Sequence, residues 1–190
     1  PELCLTTFFP RWYFEKQADI DVWFEKNMPN DATMPLFRTS KELGIALSFG
    51  YAELTPDGLH YNTSILTDKR GNIIGKYRKV HLPGHSEYDH DRAFQHLEKR
   101  YFLPGDMGFP VWRNLNAMMG MCICNDRRWP EVYREMGLQG VELLMLGYNT
   151  PSVNSQMSDE GLEKRLYHSE LCMTAGAYQN STWVIGVAKA

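Results

Sequence analysis

Between residues 121 and 131 the chain runs MCICNDRRWPE: an apolar stretch ends on a thiol (Cys124), an amide (Asn125), a carboxylate (Asp126) and two guanidinium groups (Arg127 and Arg128). A thiol in such company is a nucleophile once it loses its proton, and the backbone N–H groups that follow it can bind a developing oxyanion. The local pattern supplies a place for it. MMGMCIC reads as a buried strand and WPEVYRE as the start of a helix, so Cys124 to Asp126 fall at a strand-to-helix turn, where open α/β folds gather catalytic groups. A helix N-terminus at that turn would favour thiolate over thiol. The alternative is that Cys122 and Cys124 are both small buried apolar residues, as free cysteines often are. Strand alternation sends both thiols to the same side, so period does not choose between them.

The elements that must position this turn alternate along the chain. PELCLTTFFP reads as the end of a strand, followed by an aromatic, charged stretch and a helix near Pro35 to Leu43 that Gly44 closes. IALSFGYAEL, YNTSILTD and NIIGKYRK are rich in β-formers and predict a meander, the last two joined through KRGN. A long connection rich in His, Pro and Gly (VHLPGHSEYDHDRAFQHLEKRYFLPGD) follows, of the kind that rims a functional site. After the strand MMGMCIC come the helix WPEVYREMGLQG, the buried strand VELLMLG, a helix over 159–178 and a last strand, STWVIGVA. With no internal repeat or linker, this predicts one α/β domain over residues 1–190, incomplete at both ends.

Composition narrows the function classes. At 190 residues, 43% hydrophobic and 13% aromatic, the chain has enough apolar material for a sizeable core. Its formal net charge of −3 gives no basic footprint, which argues against nucleic acid or an anionic membrane as a partner and for a small molecule. Four cysteines without framework spacing fit a reducing, cytoplasmic setting. No apolar run approaches the roughly 18 residues that span a bilayer.

Three stretches, PELCLTTFFP with Glu2, GKYRKVHLPGH with Lys79 and CNDRRWPE with Cys124, resemble in identity and order the Glu, Lys and Cys motifs of the nitrilase superfamily of carbon-nitrogen hydrolases. YNTSIL, FQHLEKRYF, PGDMGFP, GYNTP and AGAYQN extend the resemblance over nearly the whole chain, most closely to the branch that hydrolyses N-carbamoyl-D-amino acids. The resemblance implies an α-β-β-α sandwich and hydrolysis of a carbamoyl C–N bond to D-amino acid, carbon dioxide and ammonia, with no cofactor and in a homo-oligomer. Glu2 would be the general base, Lys79 would hold the oxyanion together with the Asn125 N–H, and Cys124 would carry the acyl group. Glu98 matches a second glutamate that positions the lysine or shares in proton transfer; its alternative is a surface carboxylate beside Lys99 and Arg100. Another amidase or nitrilase, or a catalytically silent ligand-binding relative, are the competing readings.

The substrate such a hydrolase takes carries a carboxylate, for which guanidinium groups are suited, so Arg127 and Arg128 are the carboxylate candidates. Their alternative is pairing with Glu131 or Asp126. Asn125 and Asn149 fall at strand ends, where they could hydrogen-bond the carboxylate or the ureido group. By the same resemblance His81, His96 and His168 belong to the site region, on the lysine-glutamate network or on substrate. Histidines 81, 85, 90 and 96 share one loop, but with Cys122 and Cys124 they show no zinc-ligand spacing, so no metal is expected. The aromatic residues from Phe8 to Trp23 either close the pocket or pack in the core.

Overall fold

The computed structural model describes residues 1–150, 157 and 159–188. Three antiparallel strands, β1 (Ser48–Leu54), β2 (His60–Thr67) and β3 (Ile73–Arg78), form a meander in the order β1-β2-β3. The β2–β3 hairpin turns through Gly71 at φ +79°, where Asp68 Oδ1 accepts the Arg70 and Asn72 N–H groups. A second sheet has the order β4-β5-β6-β7: β4 (Val111–Asn114), β5 (Ala117–Ile123), β6 (Leu143–Tyr148) and β7 (Trp183–Ala188). Its β4–β5 pair is antiparallel, while β5–β6 and β6–β7 are parallel, as strand-helix-strand crossovers require.

The helices are α1 (Gln17–Asp21), α2 (Met34–Leu43), α3 (Glu98–Tyr101), α4 (Pro130–Leu138) and α5 (Leu162–Asn180). One face of each sheet meets the other sheet: Leu66 and Tyr77 of the meander share a core cluster with Met119 and Met121 of the second sheet. Phe37 of α2 packs with Phe49, Tyr51 and Ile65 on the meander's outer face, and Val132, Tyr133 and Met136 of α4 cover the second sheet. The layers therefore run helix, sheet, sheet, helix, the α-β-β-α sandwich.

Two local differences from the sequence reading stand out, and one open alternative is resolved. PELCLTTFFP is a set of turns rather than a strand end, with Leu3 in the left-handed region at φ +43°. Strand β4 carries no period-2 apolar signal, and its turn to β5 uses Leu115 and Asn116, both at positive φ, instead of a glycine. The aromatic stretch packs: Phe8, Phe9, Ile20 and Phe24 form a core cluster with Leu97, Tyr101 and Phe102, the residues that flank Glu98.

Candidate active site

Strand β5 ends at Ile123, and Cys124 opens a single 3-10 turn, Cys124–Arg128. Cys124 takes φ +47°, a left-handed conformation that L-residues adopt at a cost and that recurs where function needs a side chain aimed off a strand. Asp126 holds the turn in place. Fully buried, it accepts the Ile123 N–H (3.0 Å), the Tyr77 hydroxyl (2.8 Å), the His81 N–H (2.9 Å) and the His81 Nδ1 (2.9 Å). Tyr77 and His81 flank Lys79, so one carboxylate ties the end of β3 to the end of β5 across the two sheets.

Glu2 reaches the site because two strands leave room for its backbone. A Cβ on Gly50 of β1 would lie 3.1 Å from the Glu2 Cα, and one on Gly147 of β6 would lie 2.9 Å from the Glu2 nitrogen. The segment is fixed to β1 by Gly50 N–H to Pro1 O (2.9 Å) and Cys4 N–H to Gly50 O (2.7 Å). There the Glu2 carboxylate, the Lys79 ammonium and the Glu98 carboxylate meet, all with side chains at 0% exposure. Lys79 Nζ donates to Glu2 Oε1 (2.8 Å) and to Glu98 Oε2 (2.6 Å), while His96 Nε2 lies 3.2 Å from Glu98 Oε1.

The two carboxylates are driven in opposite directions. Burial, only partly offset by Lys79 and reinforced by the charge on Glu98, raises the pKa of Glu2. Glu98 pays the same burial cost, but Lys79 and His96 more than offset it and its pKa is lowered. Lys79, despite burial, is held cationic by the Cys124 sulfur when that is ionised and by the carboxylates of Glu2 and Glu98. Environments that separate two carboxylates in this way suit them to separate work, one as a fixed countercharge and the other as a proton carrier. Burial, with Glu2 adding to it, also raises the pKa of the Cys124 thiol against the pull of Lys79. This corrects the expectation of a helix-stabilised thiolate. Only a 3-10 turn follows the sulfur, and α4 starts at Pro130, too far on for its first turn to act on Cys124. The site thus sets the Cys124 sulfur near a buried carboxyl group, an arrangement that can take the thiol proton as sulfur attacks.

The remaining predicted residues divide. Arg127 is buried at 1% exposure, and its guanidinium serves the protein: Nη1 donates to Cys124 O (2.6 Å), Nη2 donates to Thr150 Oγ1 and Ser169 Oγ (2.9 Å each), and the group lies over the Tyr148 ring. It pairs with neither Asp126 nor Glu131. Arg128 is exposed beside it, Asn149 is half-buried, and Asn125 donates through Nδ2 to His81 O (3.1 Å). His96 stands on the lysine-glutamate cluster, whereas His81 stands on Asp126 instead, stacked against Trp129 and Phe109. His168 is exposed on α5 with its ring against Tyr167. Pro151, at the end of GYNTP, lies outside the described residues. Among the described residues no three His, Cys, Asp or Glu side chains form a metal-binding group, and no helix is long and apolar enough to cross a membrane.

Sequence reading passed over Asp126 as more than an ion-pair partner, and over Tyr77, Asn62, Thr150 and Ser169. Asp126 and Asn62 stand inside quoted motifs, but their partners are 45 to 60 residues away, which no local pattern reveals.

The family model for carbon-nitrogen hydrolases matches residues 1–190. N-carbamoylputrescine amidase of Solanum lycopersicum is 34% identical over 166 residues, 86% of this chain and 51% of that protein, and citrullinase of Francisella tularensis is 41% identical over 85 residues, 45% of this chain and 27% of that protein. The chain spans about half the length of the curated amidases it matches. Among solved structures, a carbon-nitrogen hydrolase from Helicobacter pylori superposes with a TM-score of 0.80 over 98% of this chain and 59% of its own, at 24% identity. An amidase from Nesterenkonia sp. does so at 0.71 over 99% and 60%, at 22% identity, which carries the fold alone. With its cysteine, lysine and two glutamates set in that sandwich, this chain belongs to the carbon-nitrogen hydrolase family.

Proposed function

We propose that the protein hydrolyses the carbamoyl C–N bond of an N-carbamoyl-D-amino acid through a Cys124 acyl-enzyme. The observation that carries the reading is the buried Glu2–Lys79–Glu98 cluster whose charges act on the Cys124 thiol. Glu2 takes the thiol proton as sulfur attacks the ureido carbon, and the oxyanion is held by the Lys79 ammonium and the Asn125 N–H, a charge-assisted arrangement worth about 3 to 4 kcal/mol. Collapse of the adduct expels one nitrogen, which leaves with the proton from Glu2. Glu2 then deprotonates the water that cleaves the thioester, and the resulting carbamate breaks down, so that either order of departure gives amino acid, carbon dioxide and ammonia. No step calls for a cofactor.

The similar amidases and citrullinase are named for ureido substrates, which supports the bond. The carboxylate and its D configuration rest on the resemblance and on Arg128, the guanidinium left exposed beside the nucleophile, with Asn125 and Asn149 as further donors. Arg127, engaged with Cys124 O, Thr150 and Ser169, shapes the turn. That engagement favours a second reading, a ureido substrate without a carboxylate. The test is ammonia release by the full-length protein from N-carbamoyl-D- and N-carbamoyl-L-amino acids and N-carbamoylputrescine, with Arg128→Leu alongside. Preference for the D acid, with KM raised in Arg128→Leu, supports the first reading; preference for the amine replaces it with the second.

A further inference from the structure

Asn62 lies in β2 with no solvent exposure. Its Nδ2 donates to Glu2 Oε1 at 2.9 Å, the same oxygen that accepts from Lys79 Nζ at 2.8 Å. Its backbone oxygen accepts the Lys79 N–H at 2.8 Å. One residue thus touches both members of the buried ion pair. Its Oδ1, by contrast, is buried with no hydrogen-bond partner among the described residues. An orphaned buried carbonyl costs stability, and an apolar residue of similar shape would avoid that cost. Turning the amide over would set its oxygen against the carboxylate, so the donor must face Glu2. A residue kept at such a cost is explained by what its other end does. Glu2 Oε2 is also buried and without a partner among the described residues. One carboxylate oxygen is therefore doubly pinned, and the other is left to exchange a proton.

We propose that Asn62 is a positioning residue that divides the labour of the Glu2 carboxylate, fixing Oε1 so that Oε2 alone faces the proton transfers with sulfur and water. This rests on the reading of Glu2 as general base. The charged and titratable groups facing Glu2 are Lys79 after β3, Glu98 on α3 and Cys124 on the 3-10 turn, with His96 behind Glu98. Of the two groups that donate to Glu2, only Asn62 carries no charge of its own. Its loss withdraws a hydrogen bond that favours ionised Glu2 and leaves the ion pair standing.

The test uses the full-length protein with Asn62→Leu, Asn62→Asp and, as a control, Thr63→Val. Thr63 is equally buried on the next position of β2, and its hydroxyl donates to Glu53, away from the site. Two readouts are followed against pH: kcat/KM on the best ureido substrate, and alkylation of Cys124 by iodoacetamide resolved by peptide mass spectrometry. For Asn62→Leu the expected results are a fall in kcat of about 10-fold or more with KM little changed, and, because Glu2 accepts the thiol proton in alkylation as in turnover, an acid limb moved up by about one pH unit in both profiles. Thr63→Val leaves both limbs in place. A uniform loss across pH with the limb unmoved, or the same limb shift in Thr63→Val, overturns the proposal. Asn62→Asp, nearly isosteric, gives the same upward shift if Asn62→Leu does not fold, and an unmoved limb there overturns the proposal equally. Because alkylation needs no substrate, a wrong substrate assignment silences turnover while the thiol profile still reports on Asn62.

Discussion

Replacing Glu98 by Gln keeps the shape of the side chain and removes one of the two negative charges around Lys79. Nζ lies 2.8 Å from Glu2 Oε1 and 2.6 Å from Glu98 Oε2, so these two oxygens are at most 5.4 Å apart. At an effective dielectric of about 20, unit charges at that distance repel by about 3 kcal/mol, or about two pH units. That repulsion raises the pKa of both Glu2 and the Cys124 thiol. In Glu98→Gln the acid limb of kcat/KM, set by protonation of Glu2, should therefore move down by about one to two units. Alkylation of Cys124 at neutral pH should speed up as the thiol becomes more acidic. Lys79 stays protonated, since Glu2 still faces it. Peptide-resolved alkylation separates Cys124 from the exposed Cys4. The direction is opposite to that expected for Asn62→Leu. An acid limb that stays in place or moves up would refute the assignment of Glu98 as a fixed countercharge.

Gly147→Ala would put a Cβ 2.8 Å from the Pro1 carbonyl carbon and displace the backbone that carries Glu2; a shift of about 1 Å predicts a loss of about 100-fold in kcat/KM, with the second sheet retained by circular dichroism. Tyr77→Phe removes a buried hydrogen bond to the Asp126 carboxylate and should lower unfolding stability by about 2 kcal/mol in a urea titration. Glu53 is buried, but hydrogen bonds from Arg78, Lys76 and Thr63 outweigh that burial and hold its carboxyl down to about 2. Its folded-state value lies below the unfolded one of about 4.5, so its contribution is complete above that pH and lost as pH falls towards 2. The stability gap between the parent and Glu53→Gln should close over that window in acid titrations.

Local grammar made much of this fold legible. The apolar run before Cys124, the glycine-closed helix before Gly44 and the KRGN hairpin each carry their signal within about ten residues, and each matches an element of the structure. The convergence of Glu2 with Lys79 and Glu98 was legible only through motif order, because residues 77 positions apart meet by sheet packing. Both thiols are buried, and it is backbone conformation that separates them where periodicity does not. Cys122 is enclosed in the core between the second sheet and α4, while the left-handed turn at Cys124 carries that thiol off the strand line towards Thr150 and Arg127. The position of Arg127 was hidden for a related reason: its partners Thr150 and Ser169 come from distant segments, and nothing in RRWPE distinguishes the inward arginine from the outward one.

Whether Cys124 carries the acyl group is tested by ammonia and amino-acid release from an N-carbamoyl-D-amino acid by the full-length protein and its Cys124→Ala variant, with folding of both checked by thermal melting. The parent is expected to release both products, and a folded Cys124→Ala to lose at least about 10,000-fold. Undiminished release by that variant would remove Cys124 from the chemistry, and with it the acyl-enzyme.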